Sequence, residues 1–139
     1  MLKFLYFFIS VALSSHAMAF EIEQIESLHE SQIEFLEGRV LELDACVRYF
    51  RSSSSDAKLV PICSIFSRLN TEEEKVNSER RWNALNQAYS SYITLVEEGS
   101  ISAAKAKIIE RQRNRIADLL DASADRVEEF LELYERYKN

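Results

Sequence analysis

Helix-breaking residues are nearly absent from this chain, and their scarcity constrains the fold more than any other feature. The 139 residues include two glycines, Gly38 and Gly99, and one proline, Pro61. Sheet folds need frequent turns, and those turns draw heavily on glycine and proline. So few breakers predict an all-α fold of long helices, interrupted at the polar segment 52–58 and at Gly99.

A heptad-like apolar seam marks the first helix, which we predict from Glu21 to about Arg51. Its members step by three and four residues, the spacing that aligns side chains on one helix face. The seam comprises Ile33, Leu36, Val40, Leu43, Val47 and Phe50, and Ile22, Ile25 and Leu28 extend it upstream after a slip in register. Cys46 flanks this seam, so we expect its sulfur to lie beside the core.

Two further helices are predicted in the middle of the chain. Pro61 suits the first turn of a short helix that carries Cys63. Thr71 and Glu74 have the spacing of a capping box, which begins a helix that runs to about residue 98 before Gly99 ends it. The apolar stripe of this second long helix is Trp82, Leu85, Tyr89, Tyr92 and Val96.

The last helix is predicted from Ala103 to about Tyr137, with Ser100 or Ser102 as its cap. Serine and aspartate in the segment 121–125 compete for backbone hydrogen bonds, but we interpret the helix as continuous there. Its apolar face is Ile108, Ile109, Ile116, Leu119, Leu120, Val127, Phe130, Leu131 and Tyr134.

These helices predict one elongated, antiparallel bundle of three long helices plus one short helix, with coiled-coil-like seams. Long helices of similar length joined by short connections usually lie antiparallel to their neighbours in sequence. Residues 20–139 are enough for a single helical domain with one core.

The first nineteen residues have the pattern of a secretory signal peptide. Lys3 precedes an apolar run over residues 4–13, and Ala17 to Ala19 form an A-x-A cleavage site. The run is too short for a membrane-spanning helix. We therefore predict cleavage after Ala19 and a periplasmic or secreted protein, with an uncleaved signal anchor as the alternative.

An oxidising compartment gives the two cysteines, Cys46 and Cys63, a specific meaning. An even number of cysteines in an exported protein predicts a disulfide, here between these two residues. Closing a loop of this size stabilises a fold by about 3 kcal/mol in the chain-entropy model. Two free thiols or an intermolecular bridge remain the alternatives.

The acidic balance of the chain bears on its partners. Loss of Lys3 with the signal peptide shifts the net charge from −6 to −7. Such a chain repels nucleic acid and anionic membranes, so we expect neither as a partner and no stable membrane insertion after cleavage. The acidic composition is compatible with a basic protein partner.

Catalytic chemistry finds little support in the residues. His29 is the only histidine after Ala19, and Glu26 with His29 has the spacing of half a di-iron site. The second half is missing, since it needs another histidine. We expect no metal, no cofactor and no catalytic residue, and interpret His29 as a polar residue beside the seam; a surface zinc site with Glu30 is the alternative.

Two groups of residues are candidates for binding a partner. Lys107, Arg111 and Arg115 share one helix face and could contact an acidic partner; alternatively, they pair with acids at 72–74 or 97–98 on a neighbouring helix. Near the bundle end, apolar area that three helices leave uncovered could bind a partner. The candidates there are Phe130, Tyr134 and Tyr137.

The sequence thus predicts a non-enzymatic exported helical protein that acts by binding another protein, as an inhibitor, immunity protein, adaptor or chaperone. The absence of a catalytic constellation motivates this interpretation. Two alternatives stay open. One is a binder of a metal or small ligand in the bundle core, and the other is a structural envelope component that associates with itself, for example as a homodimer.

Overall fold

A computed structural model of the chain describes residues 20–52 and 60–138, and side chains within these ranges as far as Arg136. The predicted signal peptide and most of the predicted polar segment 52–58 lie outside the described residues. Throughout the described ranges the secondary structure is helical.

Three long helices and one short helix make up the described fold, as predicted. Each long helix begins and ends within two residues of its predicted position. The elements are α1 (Ile22–Ser52), a 3-10 turn (Pro61–Cys63), α2 (Ser64–Leu69), α3 (Glu72–Glu97) and α4 (Ala103–Lys138). The predicted antiparallel bundle is confirmed, because each long helix runs opposite to the one before it in sequence.

This up-down-up order leaves α1 and α4 parallel, and these two helices form the most closely packed pair. Ion pairs along their common border join residues at a constant sequence separation of 78 or 79. A constant separation is the signature of two helices that run in the same direction. The pairs are Glu26 with Lys105, Glu37 with Arg115, and Arg51 with Glu129.

The core consists of three apolar clusters stacked along the α1–α4 pair. The first contains Ile25, Ala88, Tyr92 and Ile109, the second Ile33, Leu36, Leu85, Ile116 and Leu119, and the third Cys46, Val47, Phe50, Cys63 and Phe130. Helix α3 packs against the α1–α4 pair in the first two clusters, and the disulfide and its neighbours do so in the third. The predicted seam of α1 is therefore the core-facing stripe.

Three residues of the predicted apolar stripes lie on the surface instead. Val96, Ile108 and Leu131 are all exposed. Each of these residues follows its stripe at helical spacing, but the buried face of α3 and of α4 covers fewer positions than that spacing predicts. Ile108 and Leu131 lie beside the fully or largely buried Ile109 and Phe130, which take the inward positions.

The predicted disulfide between Cys46 and Cys63 is present, with the two Cα atoms 4.9 Å apart. It attaches the 3-10 turn and α2 to the end of α1. A helix of six residues is far too short to be stable alone. Stacking of the Phe66 ring on the Phe130 ring, with 3.6 Å between centroids, holds α2 against α4 as well.

The capping box at the start of α3 is only half confirmed. The hydroxyl of Thr71 accepts a hydrogen bond from the backbone N–H of Glu74 at 3.2 Å, as predicted. The Glu74 carboxylate does not reach back to the cap; it pairs with Arg39 of α1 and with Arg81. Tertiary ion pairs therefore replace the second, local hydrogen bond of the box.

A tight turn joins α3 to α4. Gly99 has a φ of +66°, the left-handed conformation that glycine adopts most readily, so it ends α3 as predicted. Ser102 caps α4, since its hydroxyl accepts a hydrogen bond from the backbone N–H of Lys105. Helix α4 continues through residues 121–125, where the Ser123 hydroxyl donates to the Leu119 carbonyl oxygen of the preceding turn.

Candidate functional site

A groove runs between α3 and α4 because these helices pack unequally on α1. Helix α4 lies close to α1 along its whole length, whereas α3 contacts α1 but keeps its backbone away from that of α4. The turn at Gly99 holds α3 and α4 together at one end only. We call the resulting space the α3–α4 groove; its inner part is lined by both helices, and its outer part is lined by α4 together with α1 and α2.

The inner part of the α3–α4 groove is a cavity of about 230 Å³. Its polar lining includes His29 and Arg113, and Trp82 forms one wall. Trp82 also borders the next recess along α3, and the lining of that recess includes Arg39 and Leu69. The two spaces therefore connect past the indole ring.

The outer part is a wider depression of about 560 Å³, which Arg39 and Leu69 join to the middle recess. Its floor is mostly aliphatic and is completed by Leu43, Val127 and Leu131. Along α4 the groove extends from Arg113 to Leu131, about 27 Å at 1.5 Å per residue. That length corresponds to about five helical turns.

Leu131 is the most exposed apolar residue of the groove, with 53% of its surface accessible. It lies between the buried Phe130 and the exposed Glu132, at the mouth of the outer depression. A single exposed leucine is ordinary on a protein surface, but one that borders a concave apolar floor marks a contact site. Leu131 is therefore the clearest candidate contact residue.

Acidic side chains follow the α4 rim of the groove at steps of four, three and four residues. Asp121, Asp125, Glu128 and Glu132 are all exposed. Within the described side chains, the first three make no ion pair, and Glu132 approaches Arg136 only to 3.9 Å. None of these four acids takes part in the ion pairs found between the described side chains of α1 and α4.

His29 lies at the inner end of the groove, only 2% exposed. Its Nδ1 is 2.7 Å from the carbonyl oxygen of Ile25, and because a carbonyl oxygen only accepts, Nδ1 carries the proton. Burial lowers the pKa of His29, and the nearby Arg113 cation adds to this effect against the opposing hydrogen bond to Ile25. The imidazole is therefore neutral at neutral pH, with Nε2 as an acceptor.

Arg113 and Tyr89 form the polar edge of the same cavity. The guanidinium carbon of Arg113 lies 3.2 Å from the centroid of the Tyr89 ring, a cation–π contact between α4 and α3. This contact bridges the two helices across the inner cavity. An aromatic wall, a cation and a neutral imidazole thus meet in one small space.

The predicted metal-ligand alternative does not match the positions of the side chains. Glu26 binds Lys105, with 2.9 Å between Oε1 and Nζ, and Glu30 accepts a hydrogen bond from Gln112. Nowhere within residues 20–52 and 60–136 do three histidine, cysteine or acidic side chains come together as a metal would need. His29 therefore lies among apolar and cationic neighbours.

The predicted basic face of α4 divides into two parts. Arg115 pairs with Glu37 of α1, at 2.8 Å between Nη2 and Oε1, and not with the acids at 72–74 or 97–98. Lys107 and Arg111 are exposed, and within the described side chains neither makes an ion pair. Arg115 thus joins α4 to α1 at the surface of the bundle, and Lys107 and Arg111 remain exposed.

The predicted apolar candidates near the bundle end lie mainly in the core. Phe130 is 4% exposed and packs between Phe50 and Phe66. Tyr134 is half-buried against Phe50 and Phe130. The Tyr137 side chain lies outside the described residues. Phe130 therefore has no surface to offer a partner, because α2 covers the side that the sequence pattern left open.

Sequence reasoning missed the rim and the mouth of the groove. The sequence pattern presents Asp121 and Asp125 only as a source of a helix kink, and Leu131 as part of the buried face. One signal was available: acids at 121, 125, 128 and 132 recur at helical spacing opposite the apolar seam. That pattern identifies an exposed acidic face but not the groove beside it.

Comparison of the chain with models of protein families, with curated proteins and with solved structures finds no match. Within the described ranges, each helix is too short or too polar to cross a membrane.

Proposed function

We propose that this is an exported, non-enzymatic protein that binds a helix of another protein in the α3–α4 groove. The observation that carries the proposal is the outer depression of about 560 Å³, open to solvent, with its mostly aliphatic floor and the exposed Leu131 at its mouth. Amphipathic helices commonly bind in apolar grooves of this kind.

The shape of the groove favours a helix over a loop or a small molecule. Its length of about 27 Å along α4 accommodates about 18 helical residues. A helix in this position would lie beside α4 along its whole length, with α3 as its second neighbour at the inner end and α2 at the outer end, and would give the bundle a fourth long helix. An occupant of this kind would bury Leu131 and Val127, and burial of one such side chain stabilises a complex by about 1.5–3 kcal/mol.

The proposed location rests on the signal-peptide pattern of residues 1–19 and on the disulfide. A bond between Cys46 and Cys63 persists in oxidising compartments such as the periplasm or the extracellular space. The bond also attaches α2, whose Leu69 lines the outer depression of the groove. Oxidation therefore supports the shape of the proposed binding site.

The environment of His29 supports a role without catalysis. General-base catalysis needs a side chain that reaches the proton it abstracts. The Nδ1–H of His29 is held by the Ile25 carbonyl, and its ring is nearly inaccessible. A histidine in this position is better suited to hold α1, α3 and α4 in register than to transfer protons.

Site-specific photo-crosslinking in the native organism tests the proposal. A photoreactive residue is placed at Leu131 in the groove or, as a matched control, at Leu41, a leucine of α1 that is 65% exposed and lies away from the groove. We expect position 131 to crosslink one protein in stoichiometric yield and position 41 to crosslink none. Equal crosslinking at both positions would contradict the proposal.

A small-ligand binder is the second candidate, because the inner cavity combines His29, Tyr89 and Arg113 beside an aromatic wall. Trp82, the single tryptophan of the chain, forms that wall and reports occupancy by its fluorescence. A metabolite that quenches Trp82 in the wild type but not in Arg113→Ala would favour this candidate. An unchanged spectrum across a broad metabolite library would exclude it.

A further inference from the structure

We propose that the helix bound in the α3–α4 groove is basic, with lysines or arginines flanking its apolar stripe. This inference rests on the proposed function and adds the chemistry of the partner. It follows from the charges along the groove, which are distributed unequally between the two rims.

The α4 rim of the groove carries uncompensated negative charge. Asp121, Asp125 and Glu128 make no ion pair within the described side chains, although α4 carries several arginines. One of these, Arg126, points to the opposite side, where it pairs with Asp44 of α1 and with Glu129. Arg126 therefore serves the bundle and Arg136 only approaches Glu132, so Asp121, Asp125 and Glu128 remain for an external partner.

Cations near the groove are already paired. Arg39 binds Glu74, Lys75 binds Glu72 at 2.5 Å, and Arg113 lies over the Tyr89 ring. A partner helix with acidic flanks would thus meet repulsion along α4, and among the described side chains no unpaired cation borders the groove to offset it. Complementary charges across an interface raise the association rate and reject partners of the wrong sign.

The apolar floor and the acidic rim lie side by side on α4. Val127 and Leu131 line the floor, and Glu128 and Glu132 border the same depression one residue further along the helix. A helix whose apolar stripe contacts Val127 and Leu131 therefore places its flanking positions next to the two glutamates. Lysine and arginine suit such positions, because their stems cover apolar surface while their charges stay in water.

A second copy of this chain is a less suitable occupant. The mature chain is acidic overall, so two copies repel each other at a distance. Its exposed cations Lys107 and Arg111 lie on α4 itself, beside Ile108. To place Lys107 and Arg111 in the groove of a second copy, the edge of the tightly packed α1–α4 pair would have to enter that groove. The turn at Gly99 adjoins this segment of α4 and would have to enter with it.

The test uses two labelled peptides of about 18 residues with the same leucine stripe. One has lysine flanks and the other has glutamate flanks. Fluorescence anisotropy measures their binding to the full chain and to the variant Glu128→Lys/Glu132→Lys. The matched control is Glu97→Lys/Glu98→Lys, which makes the same change in net charge at the far end of α3.

We expect the lysine peptide to bind the wild type at least about tenfold more tightly than the glutamate peptide, with the difference shrinking as salt screens the charges. The groove variant should reverse this preference, and the control variant should keep it. The inference is overturned by equal binding of both peptides, by equal effects of the two variants, by no binding of either peptide, or by dimerisation that occupies the groove.

The variant Leu131→Asp separates failure of this inference from failure of the proposed function. If both peptides bind equally well and Leu131→Asp abolishes both, helix binding in the groove stands and the basic partner does not. Crosslinking at position 131 to a protein whose contacting helix is acidic leads to the same conclusion. Circular dichroism of each variant confirms that the fold is intact.

Discussion

The two halves of the bundle complete the same α1–α4 pair in different ways. In the half that contains His29, the 26-residue helix α3 covers the pair through packing and a cap. In the half that contains Phe130, the described residues that cover it are those of the 3-10 turn and the six-residue α2, and a disulfide holds them in place. A short cover needs covalent attachment because it buries too little surface to hold itself.

The halves differ in chemistry as well as in length. The half covered by α3 contains the buried polar residues His29 and Gln32. The half covered by α2 contains a cluster of aromatic rings around Phe130, with Phe50 edge-on at 5.3 Å and Phe66 stacked. The groove opens where one cover ends and the other begins, so the change of cover produces the candidate site.

The largest expected effect is in the half covered by α2. Phe130→Ala should lower the free energy of unfolding by about 3–5 kcal/mol, because it removes the ring on which both Phe50 and Phe66 pack. Urea denaturation measures the change. Leu131→Ala, one residue further on the same helix, is the control and should stay within about 0.5 kcal/mol. Equal losses would show that the aromatic cluster is not the core of this half.

Removal of the disulfide should have the next largest effect. Cys46→Ala/Cys63→Ala is expected to cost about 3 kcal/mol, mainly because the unfolded chain regains the freedom of the closed loop. Hydrogen exchange should show that residues 60–69 lose more amide protection than the fall in global stability explains. Residues 22–36 should lose only as much protection as the global stability does. An equal loss of amide protection in both halves would contradict the division of the bundle into two differently covered halves.

The cap of α3 is expected to contribute less. Thr71→Ala removes the side-chain acceptor for the backbone N–H of Glu74 and should cost about 1 kcal/mol. Thr94→Ala is the matched control, because the Thr94 hydroxyl bonds to the Ser90 carbonyl within the helix and caps nothing. Thermal unfolding followed by circular dichroism compares the two. A cost for Thr94→Ala as large as for Thr71→Ala would refute the capping role.

The smallest effect near neutral pH concerns His29. Burial lowers its pKa in the folded state below the unfolded value of 6.5, so the unfolded chain binds more protons as the pH falls below that value. The folded state should therefore lose stability from about pH 6.5 downward, and the loss should level off below the folded pKa. His29→Gln should flatten this slope in urea denaturation series.

Glu74 sets the lower limit of that pH window. Burial acts to raise its pKa, but hydrogen bonds from Arg39 and Arg81 outweigh burial and lower it below 4.5. The stability that this carboxylate contributes is present above pH 4.5 and is lost as the pH falls through the lowered pKa. Measurements above about pH 5 therefore isolate His29. A slope there that survives His29→Gln would contradict the assignment.

The helices and the seam of α1 could be predicted because each depends on local spacing, and the disulfide because the chain has two cysteines that can pair with each other. Ile33, Leu36 and Phe50 recur at the period of a helix, and Gly99 marks a helix end whatever lies around it. These signals need no knowledge of neighbouring helices. They were sufficient to predict the fold class and the order of the elements.

The groove could not be predicted, because spacing shows which face is apolar but not which neighbour covers it. Phe130 and Leu131 are adjacent in sequence and equally apolar, yet α2 buries the first and leaves the second exposed. Glu74 likewise has the sequence position of a capping residue, but its carboxylate forms an ion pair with Arg39 of α1 instead. Such choices depend on distances between helices, which a single sequence does not encode locally.

The parallel pairing of α1 with α4 has a consequence for the order in which the chain folds. Partners such as Phe50 and Phe130 are 80 residues apart, so the central contacts are non-local and entropically costly to form. A chain made from its N-terminus onward presents α1 long before α4 exists to cover it. The apolar seam of α1 therefore stays only partly covered until the last helix is complete, and a chain truncated before α4 lacks the helix that contributes to all three core clusters.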